Sequence, residues 1–148
     1  MDKKAKTLKK LIELDYDAIE AYEEAIERLD NASYKQSLRE FMQDHQRHTM
    51  NLAPFLKACG EEVPDGPDAM RFLTEGKVII ADLAGDKAIL KAMNANEKTT
   101  NKAYEKALEV DDLDGELRQI LLDNLNDEKR HKAWIERQIE TYKESSVA

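Results

Sequence analysis

The stretch DHQRH, residues 44–48, holds two of the three histidines in the chain, and DEKRH, residues 127–131, holds the third. Both sit in long patterns whose apolar residues recur every three or four positions, the mark of a helix with one buried face. Around the first stretch the inward positions read Leu38, Phe41, His45, His48, Leu52 and Phe55. Around the second they read Leu117, Leu121, Glu128, His131 and Ile135, with Asn124 close by. Three imidazoles and a glutamate therefore point into a core. What else shares that core decides both the fold and the chemistry.

Two further patterns supply the other walls. The spacing predicts helices over 7–29, 34–58, 86–110 and 116–142. DNAS at 30–33 breaks the first from the second, with Ser33 as the expected cap, and Gly60 is a stop for the second. Pro54 is expected to kink or shorten its last turns. Asp86 is the expected cap of the third helix, DDLDG at 111–115 ends it, and the ESSVA tail at 144–148 is expected to fray. Between the second and third patterns, residues 61–85 form a crossover. It opens with EEVPDGPD and holds a shorter helical pattern, in which Val78, Ile79 and Ile80 would pass for a buried strand if a partner strand existed. Short links make each flanking pair an antiparallel hairpin, so the expectation is all-α. One domain over 1–148 forms an antiparallel four-helix bundle with a short extra helix in its long crossover. The halves also echo each other: AYEEAIE from Ala21 and AYEKALE from Ala103, DHQRH and DEKRH, at offsets of 82 and 83 residues.

On the first helix the inward stripe is Leu8, Ile12, Asp15, Ile19, Tyr22, Ile26 and Leu29; on the third it is Leu90, Met93, Glu97, Thr100, Tyr104 and Ala107. Each helix thus carries ionisable residues near the middle of its stripe, and antiparallel packing brings the middles together. Asp15, His45, His48, Glu97, Glu128 and His131 are the candidates for metal ligands. A buried carboxylate without a counter-charge is very costly. Two arrangements meet that cost here. The carboxylates and imidazoles can pair with each other, as a polar layer that fixes bundle register. Alternatively a cation can sit among them, and His with Asp or Glu is a ligand set for Fe, Mn or Zn. The i, i+3 spacing of His45 with His48, and of Glu128 with His131, lets both members of each pair converge from one helix face.

Composition narrows the function classes. The net charge is −8 over 148 residues, with 36% charged and 41% hydrophobic. That argues against a general affinity for nucleic-acid phosphates. No apolar run approaches the ~18 residues of a membrane span, and the basic start MDKKAKTLKK is a poor signal peptide. With Cys59 as the single cysteine, no intramolecular disulfide forms, which suits a cytoplasmic setting. A lone cysteine beside apolar residues reads as packing.

The combined pattern resembles the ferritin-like di-iron carboxylate superfamily, which includes bacterioferritins and rubrerythrins. That superfamily places Glu on the first and third helices and Glu-x-x-His on the second and fourth. Glu128-Lys-Arg-His131 matches in full, and a tyrosine follows both Asp15 and Glu97 seven residues on, at Tyr22 and Tyr104. The resemblance covers roughly residues 8–142. It implies one ion held by Asp15 and His48, another by Glu97 and His131, Glu128 between them and His45 open to either. The cofactor it implies is Fe, one or two ions, with Mn or Zn as alternatives. Tyr22 and Tyr104 would hydrogen-bond to ligands or take part in redox steps, and no further catalytic residue is assigned. Two positions depart from the pattern. Asp15 is one methylene shorter than Glu, and His45 replaces a glutamate that bridges the ions. Three carboxylates then stand where four are usual, so one tight ion with a weaker second, or a mononuclear site, is expected. The rubredoxin-like module of rubrerythrins is absent, since there is no Cys-x-x-Cys. By this resemblance the chain is an iron-dependent oxidoreductase or iron-handling protein reacting with dioxygen or peroxide. The alternative is a non-catalytic structural or Zn/Mn-binding bundle with a degenerate site. Metal ions are the expected partners, with a homodimer as the assembly.

Overall fold

Three polar side chains and a glycine set where the helices begin. Asp2 accepts the amide of Ala5 (2.8 Å) and starts α1, Lys3–Arg28; Asn31 accepts the amide of Tyr34 (3.0 Å) and starts α2, Ala32–Ala58. Asn31 therefore takes the capping role expected of Ser33, because its extended backbone (φ −75°, ψ 117°) aims the amide oxygen at the open N–H group. α2 runs on through Pro54 and stops at Gly60, whose φ of +81° a side chain would strain. Gly85 (φ +88°) precedes α3, Asp86–Ala107, and Asp114 accepts the amide of Leu117 (2.8 Å) at the start of α4, Gly115–Val147. The α4 backbone thus stays helical beyond residue 142 and into the tail expected to fray.

A computed structural model of the chain describes residues 1–66, 83 and 85–147, and of 143–147 the backbone alone. The expected crossover helix lies outside the described residues. Among these there is no strand, and no helix is long and apolar enough to cross a membrane. α1 packs on α2 and α3 on α4, while α1 also lies beside α3 and α2 beside α4. The result is the four-helix bundle that the periodicity predicts.

Asp86 does not cap its own helix. Its carboxylate, 8% exposed, accepts the amides of Asp30 (2.8 Å) and Asn31 (3.0 Å), tying the α1–α2 turn to the start of α3. Charge-assisted hydrogen bonds of this kind contribute about 1.5–3 kcal/mol. Asp86→Ala is expected to lower Tm by about 5 °C; an unchanged melting curve would mean that the tie adds nothing.

The apolar core is split into two layers. One contains Tyr22, Leu29, Leu38, Phe41, Leu90, Met93 and Ile135; the other contains Leu8, Ile12, Leu52, Leu56, Tyr104, Leu117 and Leu121. Between them lies a stratum of buried polar groups, where every charge must find a partner within the protein.

Candidate metal centre

All six candidate ligands lie in that stratum, each at most 1% exposed: Asp15 from α1, His45 and His48 from α2, Glu97 from α3, Glu128 and His131 from α4. They fall into two overlapping groups, Asp15–His45–His48–Glu128 and His45–Glu97–Glu128–His131, each offering ligand atoms within 4.8 Å of one another. His45 and Glu128 belong to both. His48 Nδ1 lies 3.2 Å from Asp15 Oδ1 and 3.3 Å from Glu128 Oε1, and His131 Nδ1 lies 3.3 Å from Glu97 Oε1 and 3.9 Å from Glu128 Oε2. A charge-assisted hydrogen bond is shorter, about 2.7–2.9 Å. Two ligands on one ion at about 2.1 Å stand about 3.0–3.4 Å apart, which is the spacing found in three of these four pairs. No hydrogen bond reaches the buried Glu128 Oε1. The donor set therefore fits a transition-metal ion.

His45 behaves differently from the other two. Its Nδ1 makes a short contact of 2.7 Å with Asp15 Oδ1, and its Nε2 lies 3.2 Å from Glu97 Oε1. The ring thus links the two groups directly, as a cation would. The tyrosines close the stratum crosswise: Tyr22 on α1 donates to Glu97 on α3, and Tyr104 on α3 donates to Asp15 on α1 (2.6 Å). Thr100 donates to Glu128 Oε2 (2.9 Å), Asn101 to the Glu97 and Glu128 carbonyls (2.7 and 3.1 Å), and Asn124 to the Tyr104 hydroxyl (3.3 Å).

Sequence reasoning missed the groups that aim two of the histidines. His48 Nε2 lies 2.9 Å from Asp127 Oδ2, and His131 Nε2 lies 2.8 Å from Asp44 Oδ2. Each ring is held from outside by the carboxylate of the opposite helix, leaving Nδ1 to face inward. The signal was present, since DHQRH and DEKRH share Asp at the first position, Arg at the fourth and His at the fifth.

The charges of the stratum determine one another. Burial disfavours the imidazolium of His45, but Glu128, Asp15 and Glu97 outweigh it and hold its pKa well above the usual range. His48 is raised to about 10 against the same burial penalty, by Asp15, Asp127 and Glu128. His131 is raised by Asp44 and Glu97. Burial would lift Asp15 and Glu97, yet the imidazoles depress both. Glu128 goes the other way, lifted to about 8 chiefly by burial and further by Glu97, only partly offset by His45. The tyrosine hydroxyls are raised by burial and by the carboxylates they touch, so both stay protonated donors.

A pH dependence follows for protein stripped of metal. Histidines with raised pKa contribute stability that is complete below about 6.5 and lost as pH rises through their folded values, about 10 for His48. Glu128 acts in the same direction, because its favoured neutral form is lost near pH 8. Asp15 and Glu97 are ionised throughout that window and lose their contribution only in acid. Chelator-treated protein is therefore expected to lose more than about 5 °C of Tm between pH 6.5 and 10. A flat profile in thermal melts would contradict the charge assignment.

Comparison with known proteins places the chain. The model of a family described as a domain of unknown function, DUF2383, matches residues 3–110, and the chain belongs to that family. The match ends before α4, which carries Glu128 and His131. Among solved structures the chain is similar to one described as ferritin like, diiron-carboxylate proteins, from Bacillus anthracis. The two share 22% identity and a TM-score of 0.76 over 94% of this chain and 99% of that one. It is also similar to a conserved hypothetical protein from Mycobacterium tuberculosis, at 12% identity and a TM-score of 0.75 over 93% and 98% of the two chains. The fold is ferritin-like. No curated protein matches the chain.

Proposed function

We propose that this ferritin-like member of DUF2383 binds transition metal in its buried stratum, that the ion is iron, and that the protein handles iron in reaction with dioxygen or peroxide. The observation that carries this reading is the pair of overlapping ligand groups sharing His45 and Glu128. Asp15, His48 and Glu128 would hold one ion and Glu97, His131 and Glu128 the other, with His45 available to either. Ferrous iron bound there supplies the one-electron chemistry that activates the oxidant. The chain itself supplies the setting. Asp44 and Asp127 orient two imidazoles with Nδ1 inward, Tyr104 fixes Oδ2 of Asp15, Tyr22 donates to Glu97 Oε1, the oxygen that His45 and His131 also face, and the apolar layers exclude water. Because the histidines are held in their protonated range, loading must displace their protons, and affinity should rise with pH.

A second reading is favoured by one residue. His45 stands between the groups where the superfamily pattern has a bridging carboxylate, so three acids face the ions instead of four. A site of lower negative charge suits one ion, held without turnover, with Zn or Mn in place of iron. Titration of the metal-stripped protein with ferrous salt under air separates the readings. Growth of a ferric absorption saturating at one or two ions per chain supports the first. Binding without that absorption, with zinc competing equally, supports the second.

A further inference from the structure

The repeated Asp-x-x-Arg-His pattern leaves four charged side chains outside the proposed ligand set: Asp44 and Arg47 on α2, Asp127 and Arg130 on α4. They form a closed ring of alternating charge. Arg47 Nη2 donates to Asp127 Oδ2 (2.6 Å) and Asp44 Oδ1 (3.1 Å). Arg130 Nη2 donates to Asp44 Oδ2 (2.6 Å) and Asp127 Oδ1 (3.2 Å). The oxygen taking each short arginine contact is the one that also faces a histidine: Asp127 Oδ2 meets Arg47 and His48, and Asp44 Oδ2 meets Arg130 and His131. Consecutive residues of one helix thus converge on a single oxygen of the other.

An isolated exposed ion pair contributes little, because water screens it and two long side chains must be ordered. This ring differs in two respects. All four carboxylate oxygens are engaged, and two of them face imidazoles that are fully buried. The guanidinium of Arg130 also lies 5.8 Å from the Phe41 ring centroid, and Phe41 stacks on His131 at 4.3 Å. Each arginine touches both carboxylates, so removing either one loosens both, each then keeping a single arginine.

We propose that Arg47 and Arg130 are positioning residues which, through the ring they form with Asp44 and Asp127, orient His48 and His131 together and couple the two halves of the metal centre. The proposal rests on the metal-binding reading above. Losing the partner that orients a ligating imidazole typically weakens metal affinity 10–100-fold, and the ring extends that dependence across both helices.

The test compares the parent chain with Arg47→Gln, Arg130→Gln and the double variant in two measurements. The first is a cobalt(II) titration followed by visible absorption. The second is proton NMR of the imidazole Nε2–H groups in metal-stripped protein. Each single variant is expected to weaken every cobalt-binding step by about tenfold, and the double variant, which leaves neither carboxylate an arginine, to be weaker still. Without metal, the Nε2–H signals of both His48 and His131 are expected in the parent, broadened by faster solvent exchange in each single variant and lost in the double variant. The proposal is overturned if each arginine affects only the histidine beside it, or if both signals are unchanged in the single variants. A parent chain that gives no cobalt bands would remove the metal-binding reading, while the imidazole signals still decide the ring. The arginine side chains are 48% and 54% exposed, so the variants should keep their helicity. Should one not, Arg→Lys at that position, too short in its fork to span both carboxylates, is judged by the same two measurements.

Discussion

Glu128→Gln is expected to abolish metal binding, with affinity falling by at least about 100-fold, more than for the loss of a group that only orients a ligand. Glu128 is the one carboxylate common to both ligand groups, and its Oε1 has no hydrogen bond to lose. The metal-stripped protein should respond quite differently. Burial lifts the pKa of this carboxyl to about 8, so above pH 4.5 the folded state resists an ionisation that the unfolded chain undergoes freely. At neutral pH that resistance costs roughly 3 kcal/mol, a cost the neutral amide escapes. Glu128→Gln protein is therefore expected to melt no lower than the parent without metal, most clearly above pH 8, while losing all stabilisation by added ferrous, manganous or zinc ion. Parallel thermal melts with and without metal check both arms. A variant that melts far lower without metal, and still binds, would make Glu128 a register-fixing partner of the imidazoles.

The contrast between that residue and its surroundings explains how much could be read in the sequence. Helix periodicity placed Asp15, His45, His48, Glu97, Glu128 and His131 on inward stripes, because an α-helix repeats faithfully over six or seven turns and a polar residue in an apolar stripe stands out. The capping residue at Asn31 was harder to choose over Ser33, since both side chains can accept an amide and only the turn geometry distinguishes them. Asp44 and Asp127 escaped for another reason. They lie one position before the first candidate ligand of their helices, His45 and Glu128, on the flank of the stripe, where a carboxylate ordinarily faces water. Their role depends on the interhelical pairing of α2 with α4, which no single helix encodes. The same limit applies to Asp86, whose partners are backbone amides more than fifty residues away. Periodicity reveals what each helix buries; it does not reveal which neighbour a flank residue will meet.

His45→Glu is expected to have opposite effects on the metal-stripped and metal-loaded protein. In the parent, His45 contacts Asp15 at 2.7 Å and Glu97 at 3.2 Å, and its imidazolium offsets both acids from within the stratum. Replacing it with an acid removes that positive charge and buries a fourth carboxyl among Asp15, Glu97 and Glu128, with only His48 and His131 left to offset them. Breaking a buried ion pair in this way costs about 3–5 kcal/mol, so the stripped variant should melt more than about 10 °C below the parent at neutral pH. A divalent ion reverses the balance. Four carboxylates can neutralise two such ions, and a carboxylate at this position can bridge them where a neutral imidazole cannot. Saturating ferrous or manganous ion is then expected to raise Tm by more in the variant than in the parent, with stoichiometry moving to two ions per chain. Thermal melts with elemental analysis read both quantities. If the variant stays destabilised in saturating metal and holds no additional ion, His45 serves chiefly as the internal counter-charge of Asp15 and Glu97. In that event the centre is a one-ion site, and the reading as a protein that holds metal without turnover gains over the one that reacts with oxygen.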